Sequence, residues 1–70
     1  MKYYVAEVQN IGSKREATAI EAADLATAKR AASRQQAFEG TVLEIGTAVD
    51  GNGFLTNQIC RKVNGKWQEA

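Results

Sequence analysis

The alanine-rich segment KREATAIEAADLATAKRAASRQQAFE (residues 14–39) most constrains the fold, because only part of it suits an amphipathic helix. Ser13 followed by Glu16 matches a capping box, so one helix of about 25 residues is conceivable. At about 100° per residue, however, that helix would place Glu21 and Asp24 on its apolar arc. Two carboxylates would then face the core, so the helix is better begun later.

A helix over residues 24–38 avoids this conflict. Asp24 is the predicted N-cap, since its carboxylate can accept the free N–H groups of the first turn. Gly40 is the predicted C-cap, because glycine takes the left-handed conformation without penalty. We expect Phe38 to pack inward as Gly40 turns the chain. The predicted apolar arc comprises Leu25, Ala28, Ala31, Ala32, Gln35 and Phe38.

Two strands are predicted before this helix. KYYVAEV (2–8) is rich in β-branched and aromatic residues, with Tyr3, Val5 and Glu7 on one face. QNIGSK (9–14) has turn composition, and REATAIEA (15–22) is interpreted as a second strand that pairs with the first as a hairpin. A neighbouring interpretation lacks this second strand.

Three strands are predicted after the helix. TVLEIGTAV (41–49) is β-branched, DGNG (50–53) is a turn signal, and FLTNQICRKV (54–63) is a strand expected at an edge or with a bulge. Asn64-Gly65 is a strong hairpin signal, because both central residues of a type I′ turn need positive φ. KWQEA (66–70) should therefore return beside the strand over 54–63. The predicted apolar side of the strand over 54–63 is formed by Leu55, Ile59 and Val63.

These elements predict a β-β-α-β-β-β order: an α+β, two-layer single domain over residues 1–70, with one helix on a mostly antiparallel sheet. The core should be thin, because 12 of the 31 hydrophobic residues in this chain of 70 are alanine. A thin core in a small domain favours shared apolar surface between copies. Self-association is therefore one expectation.

Charge and targeting signals indicate a soluble cytoplasmic protein. A formal net charge of +1 gives no whole-molecule attraction for nucleic acid or membrane. The N-terminus lacks the apolar region of a signal peptide, and no stretch approaches a membrane span. The single cysteine, Cys60, cannot form an internal disulfide and is interpreted as a small buried hydrophobe in a strand.

The sequence argues against catalysis. It contains no histidine, which removes the commonest general base, the commonest metal ligand and every Ser-His or Cys-His pair. No carboxylates stand at a recognisable catalytic spacing, and Asp24 and Asp50 are better used as a cap and a turn residue. We expect no enzyme activity, no catalytic residue, no metal and no cofactor.

The basic residues of KRAASRQQAF (29–38) fall outside the predicted apolar arc. One interpretation is a solvated helix face whose cations also favour the helix C-terminus. The other is a binding surface formed with basic and aromatic residues of the final hairpin. The candidate residues for binding a partner or nucleic acid are Lys29, Arg30, Arg34, Arg61, Lys62, Lys66 and Trp67.

Two functional hypotheses follow. The leading one is a non-catalytic module that binds another protein or itself, since an edge strand, aromatic residues and arginines suffice for that. The alternative is a nucleic-acid-binding accessory protein in which the cations contact phosphates and Trp67 stacks on a base. The low net charge counts against the alternative.

Two short patterns resemble those of short uncharacterised proteins encoded by bacteriophages and prophages. The first spans Ala28-Lys29-Arg30-x-Ala32-Ser33-Arg34-x-Gln36-x-Phe38-x-Gly40-Thr41, and the second is the terminal Gly65-Lys66-Trp67. The resemblance covers about half of the chain. It implies a small accessory protein made in a bacterial cytoplasm and acting on a host or phage component, and it implies no catalytic residue or ligand.

Overall fold

The computed structural model describes residues 1–69 and contains a five-stranded sheet with a helix on one face. The strand order is β2-β1-β3-β4-β5, and every neighbouring pair is antiparallel. The predicted α+β architecture is confirmed, and the alternative without a second strand is wrong. The elements are β1 (Lys2–Val8), β2 (Thr18–Glu21), α1 (Leu25–Gln35), β3 (Val42–Val49), β4 (Leu55–Val63) and β5 (Lys66–Glu69).

Strand β2 is shorter than the predicted strand over 15–22. It pairs with β1 as expected, with Tyr3 opposite Ile20, but the residues before it turn towards the β3–β4 connection. There Glu16 forms an isolated bridge with Phe54, and Ala17 N–H donates to the Gly53 carbonyl at 2.8 Å. This competing contact limits the ladder with β1 to four residues.

Helix α1 begins as predicted. The Asp24 Oδ1 atom accepts a hydrogen bond from Thr27 N–H at 2.8 Å, which confirms Asp24 as the N-cap. Hydrogen bonds from the Thr27 backbone and side chain hold the pKa of Asp24 below its ordinary value. Ala28 and Ala32 face the sheet and are 0% and 1% exposed. Alanine at these positions lets the helix approach the sheet closely, so the small residues form part of the core.

The predicted end of the helix is wrong. The helix ends at Gln35, and Gln36 has an extended backbone conformation with φ −60° and ψ 121°. Gly40 adopts φ 82°, but in the turn that follows rather than at the C-cap. Phe38 lies beyond the helix and is 71% exposed instead of packing inward. Backbone N–H groups of this turn donate hydrogen bonds to a carboxylate on β1, as described below, and so cannot continue the helix.

The β3–β4 connection forms the predicted turn. Asp50 Oδ1 accepts hydrogen bonds from Asn52 N–H at 2.8 Å and Phe54 N–H at 3.1 Å, and Gly53 has φ 83°. The β4–β5 hairpin is also as predicted, because Asn64 and Gly65 have φ of 51° and 80°. Local sequence therefore sets both connections.

Strand β4 lies inside the sheet, between β3 and β5, and carries the irregularity that the sequence predicted as one alternative to an edge position. The register shifts between Ile45 and Gly46 of β3, and Asn57 of β4 has φ 51°. This register shift interrupts the regular alternation of β4 side chains between the two faces of the sheet. Ile59 therefore packs against the helix-side core, whereas Leu55 and Val63 pack on the other face. The predicted common side for these three residues is wrong.

The core divides into a large cluster under the helix and a small one on the helix-free face. Cys60 belongs to the helix side, is 2% exposed and is not in a disulfide; its burial raises the pKa of the thiol. The helix-side cluster contains Tyr3, Val5, Ile20, Ala22, Ala28, Ala32, Leu43, Ile45 and Cys60. The helix-free cluster contains Ala6, Val8 and Val42. Within residues 1–69 no helix has the length and apolar character needed to cross a bilayer.

Candidate functional site

Cations and an aromatic ring from α1, β4 and β5 come together beside the outer face of the helix. Trp67 is half-buried and lies opposite Lys62 in the β4–β5 register. The Lys29 Nζ lies 5.7 Å from the centroid of the Trp67 ring, and the Lys62 Nζ lies 5.9 Å from it. Both distances are within the range of cation–π attraction.

Lys62 joins the sheet to the helix. Its Nζ donates a hydrogen bond to Ser33 Oγ at 3.0 Å while remaining near the Trp67 ring. These contacts limit the freedom of a side chain that would otherwise be mobile. The ammonium group is thus held at a defined place between α1 and β5.

Arg30 and Arg34 extend this cationic surface along the exposed side of α1. Arg30 Nη2 donates to Thr27 Oγ1 at 3.3 Å, and Arg34 lies in the last helical turn. We call Lys29, Arg30, Arg34, Lys62 and Trp67 the basic–aromatic patch. Its centre is a shallow depression of about 400 Å³. The lining residues are Ala26, Lys29, Arg30, Ser33, Arg34 and Trp67.

No residue of the basic–aromatic patch forms an ion pair among residues 1–69, although Asp24 at the start of α1 interacts electrostatically with Arg30. The one ion pair among residues 1–69 joins the Met1 amino group to Glu21 at 3.0 Å, at the opposite end of the sheet order. The four cations of the patch therefore leave an excess of positive charge on this surface. Such a surface attracts carboxylates or phosphates of a partner.

Two of the predicted site residues lie elsewhere. Side chains alternate between the two faces of a strand, so Arg61 and Lys66 point away from the face that carries Lys62 and Trp67. Arg61 lies opposite Glu44 in the β3–β4 register. The predicted set of seven thus divides into five residues of the basic–aromatic patch and two on the helix-free side.

The helix-free face carries an unusual polar group. Glu44 is half-buried; its burial raises the pKa of the carboxyl group above its ordinary value, although Arg61 acts to lower it. Among residues 1–69, the Nε atom of Arg61 and the Nε2 atom of Gln58 are buried without a hydrogen-bond partner. Neither of these two atoms donates a hydrogen bond to Glu44, so they do not offset the cost of burying its ionised carboxylate.

A second feature, which the sequence analysis did not identify as a site, is the turn over residues 36–41. We call it the Phe38 turn. Glu7 on β1 accepts hydrogen bonds from Ala37 N–H at 2.8 Å and Phe38 N–H at 2.9 Å, one to each carboxylate oxygen. The Thr41 hydroxyl donates to Glu7 Oε2 at 2.8 Å, and Gln36 Nε2 donates to Thr41 Oγ1 at 3.0 Å. One carboxylate thus holds both ends of the turn.

These bonds also determine the ionisation of Glu7. Burial acts to raise the pKa of Glu7, but the hydrogen bonds from Ala37, Thr41 and Phe38 together outweigh it and hold the pKa below its ordinary value, with help from Arg15. The sequence contains one signal for this arrangement. Glu7 shares a strand face with Tyr3 and Val5, and a carboxylate on a core-facing side needs donors.

Comparisons with known proteins give one informative result. No protein-family model matches the chain, and no curated protein sequence does either. Among solved structures, the fold is similar to that of AcrIF9, an anti-CRISPR protein, with a TM-score of 0.82 and 45% sequence identity. The match covers 100% of this chain and 86% of that chain. The aligned part of this chain therefore contains the segments that form the basic–aromatic patch and the Phe38 turn.

Proposed function

This chain belongs to the AcrIF9 family of anti-CRISPR proteins, and on that basis we propose that it blocks CRISPR immunity by binding a protein of the CRISPR complex without catalysis. The observation that carries the proposal is the 45% identity over the entire chain. A phage accessory protein of this kind would act inside the bacterial host. This agrees with the resemblance to phage and prophage proteins found in the sequence.

The physical character of the chain supports a binding role. A histidine-free sequence lacks the side chain most often used for acid–base catalysis near neutral pH. In contrast, the surface offers charged and aromatic groups held in place by neighbouring side chains, as Lys62 is by Ser33 and Trp67. Pre-organised groups lose little conformational entropy on association. A stoichiometric inhibitor needs such groups more than it needs a catalytic centre.

We propose the basic–aromatic patch as one contact surface for the partner. Its arginines project from an exposed helix face, and arginine and tryptophan are enriched among residues that dominate interface energies. Because the patch has four cations and forms no ion pair among residues 1–69, the complementary surface is expected to be anionic. Arg61 and Lys66 point to the other side of the sheet and are expected to contribute little to the same contact.

Phage plating tests the proposed function. Bacteria with an active, phage-targeting CRISPR system are transformed with the gene for this protein, and plaque formation is compared with that on the same strain carrying an empty vector. We expect plaques to be restored for at least one CRISPR type, and the chain to co-elute with the purified CRISPR complex of that strain. Elution of the free chain also reports self-association. Unchanged plating across CRISPR types would refute the proposal.

Paired charge reversals test the contact surface. Arg30→Glu with Arg34→Glu should abolish co-elution and plaque formation, because both residues lie on the exposed side of α1 and carry no structural bond across the core. Lys2→Glu with Lys14→Glu is the matched control, since it changes the net charge equally at exposed positions outside the patch. Equal behaviour of the two double variants would assign the contact to another surface.

Nucleic acid is the second candidate for the basic–aromatic patch. The observation that favours it is the placement of Lys29 and Lys62 beside the Trp67 ring, an arrangement in which cations contact phosphates and an aromatic ring stacks on a base. An amide correlation NMR titration with short single-stranded and duplex DNA distinguishes the candidates. Shifts confined to the patch and reversed by salt would indicate phosphate contacts, because counterion release makes them strongly salt-dependent.

A further inference from the structure

An exposed aromatic ring lies at the tip of the Phe38 turn, outside the basic–aromatic patch. Phe38 is 71% exposed, more than any other large hydrophobic residue among residues 1–69, Met1 and Ile11 being 68% and 53% exposed. A single exposed apolar side chain is common in proteins and carries no argument by itself. Phe38 differs from such a residue because the backbone that supports it is held by side-chain hydrogen bonds.

The backbone of the Phe38 turn is held by side-chain hydrogen bonds from outside the turn as well as within it. Glu7 accepts hydrogen bonds from the backbone N–H groups of Ala37 and Phe38 and from the Thr41 hydroxyl, and Gln36 adds a bond to Thr41. Hydrogen bonds to an ionised carboxylate are stronger than neutral ones. The ring therefore projects from a backbone whose conformation is fixed before any partner arrives, which reduces the entropy lost on binding.

The same bonds keep Phe38 away from the core. Its helical position would place it on the apolar arc of α1 together with Leu25 and Ala28, yet α1 ends at Gln35. Glu7 occupies a core-facing position of β1. An apolar residue at that position would need no hydrogen-bond donors. The chain thus uses a charged side chain to direct its exposed aromatic residue outward.

The charge around the ring indicates what it meets. Phe38 lines a cavity of about 550 Å³ together with Glu7, Glu39 and Arg15. Two carboxylates against one guanidinium leave a net negative charge around the ring, because neutral donors stabilise the Glu7 charge without cancelling it. Glu39 is exposed and forms no ion pair within the described residues. A phosphate backbone would be repelled by Glu39, whereas a protein pocket with a basic group on its rim would pair with it.

We infer that Phe38 is the hydrophobic anchor of this protein: it enters an apolar pocket on its protein partner, and a basic side chain at the rim of that pocket pairs with Glu39. The inference rests on the proposed function and assigns to it a contact distinct from the basic–aromatic patch. Aromatic residues seated in pockets are typical of the few positions that dominate the energy of an interface.

The experiment measures affinity for the CRISPR complex purified from the strain in which the protein restores plaques. Phe38→Ala should weaken binding about 30-fold or more, as expected for a dominant interface residue. Ile11→Ala is the matched control, since it also removes an exposed apolar side chain, and its affinity should stay within about threefold of wild type. Glu39→Lys should weaken binding more than Glu39→Gln, and added salt should reduce that difference.

A photo-crosslinking experiment detects the contact without relying on a weakened variant. Benzoylphenylalanine at position 38 should crosslink to one subunit of the complex, and the same group at position 11 should not. Phe38→Ala binding as tightly as Ile11→Ala, or no crosslink from position 38, would overturn the anchor and leave the proposed function intact. Failure of the wild-type chain to bind any CRISPR complex would overturn both.

Discussion

The backbone N–H of Phe38 donates a hydrogen bond to Oε2 of Glu7 at 2.9 Å, across a separation of 31 residues. This bond ties the turn that follows α1 to β1, an interior strand of the sheet. It also explains two departures from the predicted helix, because a backbone N–H bonded to Glu7 is no longer available to continue the helix. The early helix end and the exposed Phe38 ring therefore have one cause.

Removing the Glu7 carboxylate should loosen the Phe38 turn. Glu7→Ala deprives three donors of their acceptor, and we expect the free energy of unfolding to fall by about 1 kcal/mol, since water can replace part of the loss at an exposed turn. Chemical denaturation measures the change, and amide hydrogen exchange at Ala37 and Phe38 should accelerate. Glu39→Ala, which removes a neighbouring carboxylate with no such bonds, is the control. Equal stability of the two variants would contradict the role given to Glu7.

The stabilisation by Glu7 should depend on pH. Its pKa is lower in the folded protein than in the unfolded chain, so its contribution is complete above the unfolded value of about 4.3 and is lost as pH falls through the folded value. The difference in unfolding free energy between wild type and Glu7→Gln should therefore be constant from pH 7 to about 5 and shrink below about 4.3. A difference that persists unchanged at the lowest pH would show that ionisation is irrelevant.

Gly46 should not tolerate a side chain. A Cβ atom at this position would lie 2.8 Å from the Thr56 carbonyl oxygen and 3.1 Å from Leu55 Cδ2, so the β3–β4 pair would have to move. We expect Gly46→Ala to destabilise the fold by about 1–3 kcal/mol, as overpacking does. Gly51→Ala is the control, because nothing lies within 4 Å of its Cβ position. Thermal unfolding of both variants measures the contrast, and equal midpoints would refute it.

Neutralising Glu44 should not destabilise the protein at neutral pH. Burial raises the folded-state pKa of Glu44 above that of the unfolded chain, so the wild type loses stability as pH rises from the unfolded value through the folded one. Glu44→Gln escapes this loss and should be at least as stable as wild type at pH 7. The advantage should vanish below about pH 4.3. Glu69→Gln, at an exposed position, is the control and should be about as stable as wild type at pH 7.

A less stable Glu44→Gln protein at pH 7 would change the interpretation of the helix-free face. It would mean that Arg61, opposite Glu44 in the register, stabilises the ionised carboxylate more than burial destabilises it. Denaturation of both glutamine variants at pH 7 and pH 4 separates these outcomes.

The candidate surface was only partly accessible to sequence reasoning. Helical periodicity placed Lys29, Arg30 and Arg34 on one exposed face, and that grouping holds in the structure. Assigning the hairpin residues to one face of the sheet required knowledge of the strand register, because alternate residues of a strand face opposite ways. Lys62 and Trp67 therefore join the helix cations, whereas Arg61 and Lys66 do not.

The sequence by itself determined the features that depend on near neighbours in the chain. The Asp24 cap, the Asp50 turn and the Asn64-Gly65 hairpin each arise from groups within a few residues of one another, so composition and spacing suffice to predict them. The order of helix and strands follows from the same local signals.

Only the tertiary structure decided what depends on distant groups. The length of β2 depends on Glu16 meeting Phe54, the faces of β4 on a register shift beside Gly46, and the end of α1 on Glu7. In each case a partner more than 20 positions away, or on another strand, competes with the local preference. The local pattern for Phe38 indicated a buried helix residue, and the acceptor supplied by β1 made it an exposed one, because its hydrogen bonds to the turn end the helix before residue 38.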